Sequence, residues 1–217
     1  MKIISHRGYW KESKEKNTEI AFNRSFSLGY GTETDVRDYH GQLVISHDIA
    51  NDSSVSFESF IKNASKYGSE ENKLTLALNV KSDGLASKMA NVVKNYPALD
   101  CFVFDMSIPD MRSYFDTSLA VFTRLSEVET QAIWLDKCDG VWLDAFDSQW
   151  YSAETLLSLL NTKKRICIVS AELHGRENKG LWEILLPLSG KSNLILCTDV
   201  PEKASEFFFG NRGSYDN

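Results

Sequence analysis

The chain has 217 residues, of which 42% are hydrophobic and 25% charged, and its formal net charge is −6. That is long enough for one substantial core, short for two, and balanced like a folded globular protein rather than a disordered one. The acidic balance, with no stripe of lysine and arginine, argues against a nucleic-acid partner and leaves room only for a small basic pocket.

The first predicted strand, residues 3–5, begins next to Met1, so the sequence offers no room for a signal peptide. No apolar run approaches the roughly 20 residues that an integral membrane helix needs. The mixed-charge stretch from Lys11 to Lys16 reads as a solvated loop, placed where a lid over the first strand would sit. A second strand covers residues 32–36, and Asp38, Tyr39, His40 and Gly41 make a turn with His40 exposed. Residues 41–48 read as an extension added after that strand, carrying His47 over the mouth of the fold. Phe57, Phe60, Ile61 and Ala64 form a helical stripe ending at Gly68. Strand three is residues 75–80. Leu85, Met89, Val92, Val93 and Tyr96 then recur at helical spacing until Pro97 stops them.

Further strands are expected at residues 101–104, 120–123, 140–143, 166–170 and 194–197. Between the last three lie a helix marked by Leu156, Leu157, Leu159 and Leu160, with Ser152 as its cap, and another over residues 182–186. Eight strands alternating with helices predict an α/β fold, a compact (β/α)8 TIM barrel near the lower end of the usual range of about 200 residues upward. Residues 1–209 read as one domain, and the tail from residue 210 to 217 as frayed. The four cysteines, Cys101, Cys138, Cys167 and Cys197, contain no C-x-x-C pair; three lie in apolar strand-like runs, where cysteine is a small buried hydrophobe, and they read as reduced in a cytoplasmic protein.

Such barrels gather their active groups at the carboxyl ends of the strands. Here those ends read His6, Asp35, Asn79 with Lys81, Asp105, Arg124, Asp144, Glu172 and Asp199, a polar ring. Glu33 and Asp35 stand two apart on a strand and share a face, a pairing that suits a hard divalent cation with oxygen ligands. His6 and His47 flank that pair, and two imidazoles beside two carboxylates suit acid–base chemistry on a metal-bound phosphate ester. Lys81 shares the face of Asn79 and is placed to neutralise a phosphate oxygen. Trp10 and Trp142 read as pocket wall or core.

The segments His6-Arg7-Gly8, Asn17-Thr18 with Ala21-Phe22, Gly31 to Val36 and Gly41 to Asp48 together resemble the glycerophosphodiester phosphodiesterase family, within the phosphatidylinositol phospholipase C-like superfamily. Order, spacing and strand context agree over roughly the first fifty residues, with a weaker likeness as far as Lys81. The resemblance implies that His6 and His47 are catalytic, that Glu33 and Asp35 hold a metal, magnesium or calcium, and that Arg7 contacts phosphate.

Two positions depart from the pattern. Glu15-Lys16 stands where the family commonly has Pro-Glu. Asn79 stands where it usually supplies a third acidic ligand, so the site keeps an oxygen donor and loses a charge. Glu172 and His174 occupy a region where the family tends to place a tryptophan–asparagine segment, and they read either as recognising the alcohol or as members of a loop network. The expected activity is metal-dependent hydrolysis of a small phosphodiester, foremost a glycerophosphodiester. The alternatives are a phospholipase D-like lyase on a lipid or surface-polysaccharide phosphodiester, and a phosphodiester-binding module without turnover.

Overall fold

Alternating β-branched runs and amphipathic stretches close the chain into a barrel. The computed structural model describes residues 1–210, and the tail expected to fray, residues 210–217, lies outside the described residues from 211 on. In chain order the elements are β1 (Lys2–His6), α1 (Glu19–Ser27), β2 (Gly31–Tyr39), β3 (Gln42–Ile45), β4 (Val55–Ser56), α2 (Phe57–Ala64), β5 (Leu74–Val80), α3 (Ala86–Val93), β6 (Leu99–Phe104), α4 (Ile108–Tyr114), β7 (Ala120–Leu125), β8 (Gly140–Leu143), α5 (Ala153–Asn161), β9 (Arg165–Val169), α6 (Lys179–Leu185), β10 (Leu194–Thr198) and α7 (Pro201–Phe209). Strands β1, β10, β9, β8, β7, β6, β5 and β2 lie side by side, all parallel, and β1 pairs with β2 to close the ring.

All eight predicted barrel strands are present. The extension after β2 is an antiparallel ribbon. β2 runs on past the barrel to Tyr39, turns through His40 and Gly41 with φ of 48° and 78°, and returns as β3, paired Val36 to Ile45 and Tyr39 to Gln42. Two successive left-handed residues match the twist of a tight hairpin. His40 is exposed, and its ring packs edge-on against Tyr39.

Alternation along each strand sorts side chains into two cores. Ile4, Ala77, Phe102, Phe104, Phe122, Trp142, Cys167 and Cys197 fill the barrel interior. There Phe102 stacks on Phe122 at 3.9 Å and Phe104 on Trp142 at 3.8 Å between ring centres. The residues pointing outward, such as Leu76, Leu78, Ile166, Ile168 and Leu196, pack under the helices. At the strands' amino ends Asp100 accepts from Arg165 Nη1 at 2.7 Å and from Lys2 Nζ at 3.2 Å, closing that end with compensated charge. Aromatic layers and an ion cluster therefore fill the barrel from below, and its polar mouth lies at the other end.

Two helical stripes are narrower than expected. Leu156 and Leu160 of α5 are buried, while Leu157 is 41% exposed; on α6 Leu185 is buried and Leu186, one residue beyond the helix, is 44% exposed. Neighbouring positions on a helix point about 100° apart, so consecutive leucines cannot all face the sheet. Ser152 does cap α5, accepting from Thr155 N. No α-helix links β7 to β8: residues 126–139 cross as turns, and Trp134 packs edge-on against Phe115 to anchor them. The four cysteines are all free and buried.

Candidate active site

The turn after β1 sets the site's floor. Arg7 and Gly8 both take positive φ, 56° and 82°. A Cβ on Gly8 would lie 2.6 Å from the Cβ of Ala21, so glycine lets α1 approach the turn. The Arg7 amide donates to the Glu33 carbonyl at 2.9 Å, the Gly8 amide to Thr32 Oγ1 at 2.8 Å, and the Asn17 amide to the Arg7 carbonyl at 2.9 Å. Ser5 Oγ donates to Thr32 Oγ1 at 2.8 Å in the same buried hydroxyl network. Every backbone group of this strained turn used here is satisfied, which holds His6 and Arg7 in place.

His6 Nδ1 lies 2.8 Å from Asp199 Oδ1 at the end of β10, and His6 Nε2 lies 3.9 Å from Glu33 Oε2. Glu33 and Asp35 are both buried on the inner face of β2. Burial first, then the neighbouring Asp35 charge, pushes the Glu33 carboxyl well above its usual range, against the opposing pull of Arg7 and Lys81. Asp35 is the most contacted group of the site. Asn17 Nδ2 donates to its Oδ2 at 2.8 Å, Arg7 Nε stands 3.1 Å from Oδ2, and Lys81 Nζ stands 3.3 Å from Oδ1. Asn79, paired with Asp35 across β2 and β5, donates through Nδ2 to Asp105 Oδ2 at 3.1 Å.

The residues present fit a hard cation in kind. Asp35 Oδ1 and Asn79 Oδ1 are buried oxygens without a hydrogen bond, on paired residues, with the Glu33 carboxylate on the same strand face. Such oxygen donors are what magnesium and calcium take. Among the described residues no group of three or more His, Cys, Asp or Glu side chains is arranged to hold a metal. The third donor of this set is the amide of Asn79.

His47 follows β3 on the loop beyond the ribbon. The Ser46 amide donates to the Asp35 carbonyl at 3.0 Å, tying this loop to the strand of the acidic pair. His47 Nδ1 lies 2.9 Å from Asp48 Oδ1, and that contact holds the Asp48 carboxyl below its usual range. His47 and Arg7 line one cavity of about 400 Å³ together with Lys16, Asn17 and Ser46. Lys16 Nζ stands over the Trp10 ring at 4.4 Å, so the charged loop from Lys11 to Lys16 forms part of this wall. Trp142, by contrast, belongs to the barrel interior.

The two candidates after β9 behave differently from each other. Glu172 accepts from Ser170 Oγ, from Thr198 Oγ1 and from the Asp199 amide at 3.2 Å. Both its oxygens are engaged inside the protein, so it braces the strand end that carries Asp199. His174 Nε2 lies 2.7 Å from Asp144 Oδ1, its ring edge-on to Phe146 and partly exposed. Across the mouth Arg124 pairs with Asp105 at 3.1 Å and with Glu129.

Sequence reasoning placed Asp199 in the polar ring but gave it no partner, and it treated Asn17 only as a helix opener. Asn17 has a φ of 59°, accepts from Thr34 Oγ1 at 2.8 Å and donates to Asp35. An asparagine in a turn between strand and helix was the available signal.

No protein-family model matches this chain, nor does any curated protein sequence. Solved structures do. A glycerophosphodiester phosphodiesterase from Agrobacterium tumefaciens aligns at a TM-score of 0.65 with 14% identity, over 96% of this chain and 98% of that one. A glycerophosphoryl diester phosphodiesterase from Parabacteroides distasonis gives 0.65 with 13% identity, over 95% and 85%. A calcium-dependent phosphoinositol-specific phospholipase C from Pseudomonas sp. gives 0.62 with 8% identity, over 99% and 91%. At such identities the likeness is one of fold, and barrels of this shape host many chemistries, so the function must be argued from the site.

Proposed function

We propose that this chain is a phosphoric diester hydrolase of the glycerophosphodiester phosphodiesterase and phospholipase C-like kind. Its reaction converts a small phosphodiester, foremost a glycerophosphodiester, to an alcohol and a phosphomonoester. The observation that carries this reading is His6, held by Asp199 at the barrel mouth beside a buried acidic pair that itself meets two cations, Arg7 and Lys81. An orienting carboxylate on one ring nitrogen frees the other for proton transfer, an arrangement a mere binding module has little use for.

With Asp199 on Nδ1, neutral His6 keeps its ring proton there and its lone pair on Nε2. His6 then takes the proton of the attacking oxygen, and His47 gives one to the departing alkoxide. The new P–O bond forms as the bond to the alcohol breaks; the alcohol leaves neutral, and the phosphoryl product keeps the negative charge. The attacking group is water or the substrate's own neighbouring hydroxyl. In the second case a cyclic phosphate forms first, and water opens it with the two histidines exchanging roles.

Arg7 and Lys81 flank Asp35, and their charges would stabilise the extra negative charge that in-line displacement puts on the phosphoryl oxygens. Glu33, Asp35 and Asn79 would hold a single divalent cation, magnesium or calcium, which when bound polarises the phosphoryl group and offsets its charge. His174, oriented by Asp144, is assigned to the alcohol side of the mouth. The partner is a small-molecule phosphodiester, and the four free cysteines support a reducing, cytoplasmic setting. No described helix is long and apolar enough to cross a membrane.

The test is product analysis by phosphorus NMR over a panel of glycerophosphodiesters, with magnesium or calcium added. A phosphomonoester, with or without a transient cyclic phosphate, supports the reading. A lyase would stop at the cyclic product, and a binding module would return every diester intact.

A further inference from the structure

A second cavity, of about 290 Å³, opens beside the mouth between the loops that follow β6 and β7. Met106, Ile108, Met111 and Ile133 give it an apolar lining, with Asp105 and Arg124 along one edge. The one cation of that edge is already taken, because Arg124 pairs with both Asp105 and Glu129. The cavity therefore offers a ligand hydrocarbon contact and no free cation for a phosphate. Its outer wall, with Glu129, Thr130, Gln131 and Ile133, belongs to the crossover that lacks a helix. Ile108 carries the apolar lining out to the rim, 48% exposed.

One edge of the cavity abuts the candidate catalytic centre through side chains. Asp105 on its edge accepts from Asn79, and Asn79 pairs with Asp35. The cavity that His47 and Arg7 line is polar and basic by comparison. The mouth thus has two unlike sides, one for a polar group and one for a hydrocarbon.

We propose that the Met106–Ile108–Met111–Ile133 cavity receives an alkyl chain carried by one alcohol of the phosphodiester. The substrate is then amphiphilic, with one polar and one hydrocarbon-bearing alcohol. This rests on the phosphodiesterase reading above and narrows it. A pocket of this size lies at the lower end of the range for small-molecule sites, about 300–1,000 Å³, so it takes part of a ligand and not the whole.

The experiment is a homologous series of glycerophosphodiesters whose second alcohol is methanol, butanol, hexanol, octanol or decanol. Each buried methylene should raise kcat/KM by up to about fourfold, levelling off when the cavity is full. Ile108→Glu, at the exposed first residue of α4 where an acidic side chain favours the helix, should flatten that rise, and Ile133→Trp should shorten it. The methyl ester should be turned over equally by all three proteins. A flat series in the native protein, or a rise unchanged in both variants, overturns the proposal while leaving the phosphodiesterase reading intact.

If no member is hydrolysed, the broader reading fails and binding decides the narrower one. The chain has four methionines, and Met89 is fully buried and is not part of this cavity's lining. Octyl phosphate should then shift the methyl signals of Met106 and Met111 and leave Met89 unmoved, while glycerol phosphate shifts none. The absence of that pattern overturns the proposal.

Discussion

His6 Nδ1 and Asp199 Oδ1 stand 2.8 Å apart although 193 positions separate them in the chain. Closure of the barrel by β1 and β10 brings them together, with Ser5 paired to Thr198. Glu172 holds the Asp199 amide from behind, so the carboxylate has a fixed place from which to orient the imidazole.

Asp199→Asn should therefore lower kcat strongly with little change in KM, since an amide permits the wrong ring tautomer without removing a substrate contact. A general acid–base group contributes about 10²–10⁴-fold, which sets the expected range. The check is steady-state kinetics on a folded variant, with circular dichroism matching the native protein. A fall in KM-dependent terms alone would make Asp199 a binding residue.

Asn79→Asp should tighten the divalent cation. Charge count is a main lever on affinity for hard cations, and the change restores a third carboxylate beside Glu33 and Asp35. Turnover need not rise, because a less neutralised cation polarises phosphate more strongly. Calorimetric titration of both proteins with magnesium and with calcium reads the difference. Equal affinities would place Asn79 outside the coordination sphere.

Glu15 anchors the charged loop to α1. The hydrogen bond from Arg24 first, then the Lys11 amide, holds its carboxyl down at about 2. A depressed carboxyl stabilises the fold above its unfolded pKa of roughly 4.3, and that contribution disappears as pH falls toward 2. Native protein should melt higher than Glu15→Gln at neutral pH, and the gap should close between about pH 4.5 and pH 2. Melting curves across that range are the measurement; a gap independent of pH would assign the effect to packing.

Phe104→Ala should cost about 3–5 kcal/mol, the usual penalty for emptying a buried aromatic site. Phe104 is fully buried and stacks on Trp142 directly below the polar mouth. Urea denaturation checks it. A cost under about 1 kcal/mol would mean that the barrel interior collapses to fill the void.

The eight barrel strands were legible because each is a compact run of β-branched or aromatic residues ending in a polar one, such as residues 140–143 before Asp144. The acidic pair, both histidines and Lys81 were legible because they fall at or just beyond strand ends within a short stretch. What escaped needed the third dimension. The tie between Asp199 and His6 depends on ring closure, which local periodicity does not encode. Glu172 looked available because its partners, Thr198 and Asp199, lie on the next strand. The helix-free crossover at residues 126–139 shows no helical stripe, and Leu157 and Leu186 look like core until their angular position on the helix is counted.

Phosphodiester turnover by the two histidines is the central proposal. Phosphorus NMR should follow glycerophosphodiesters with native protein, His6→Ala and His47→Ala, each with magnesium or calcium and each checked for native circular dichroism. The expected result is conversion to a phosphomonoester by the native chain and a loss of about 10²-fold or more in each variant. Intact diesters with folded native protein, or conversion that survives both substitutions, would contradict it.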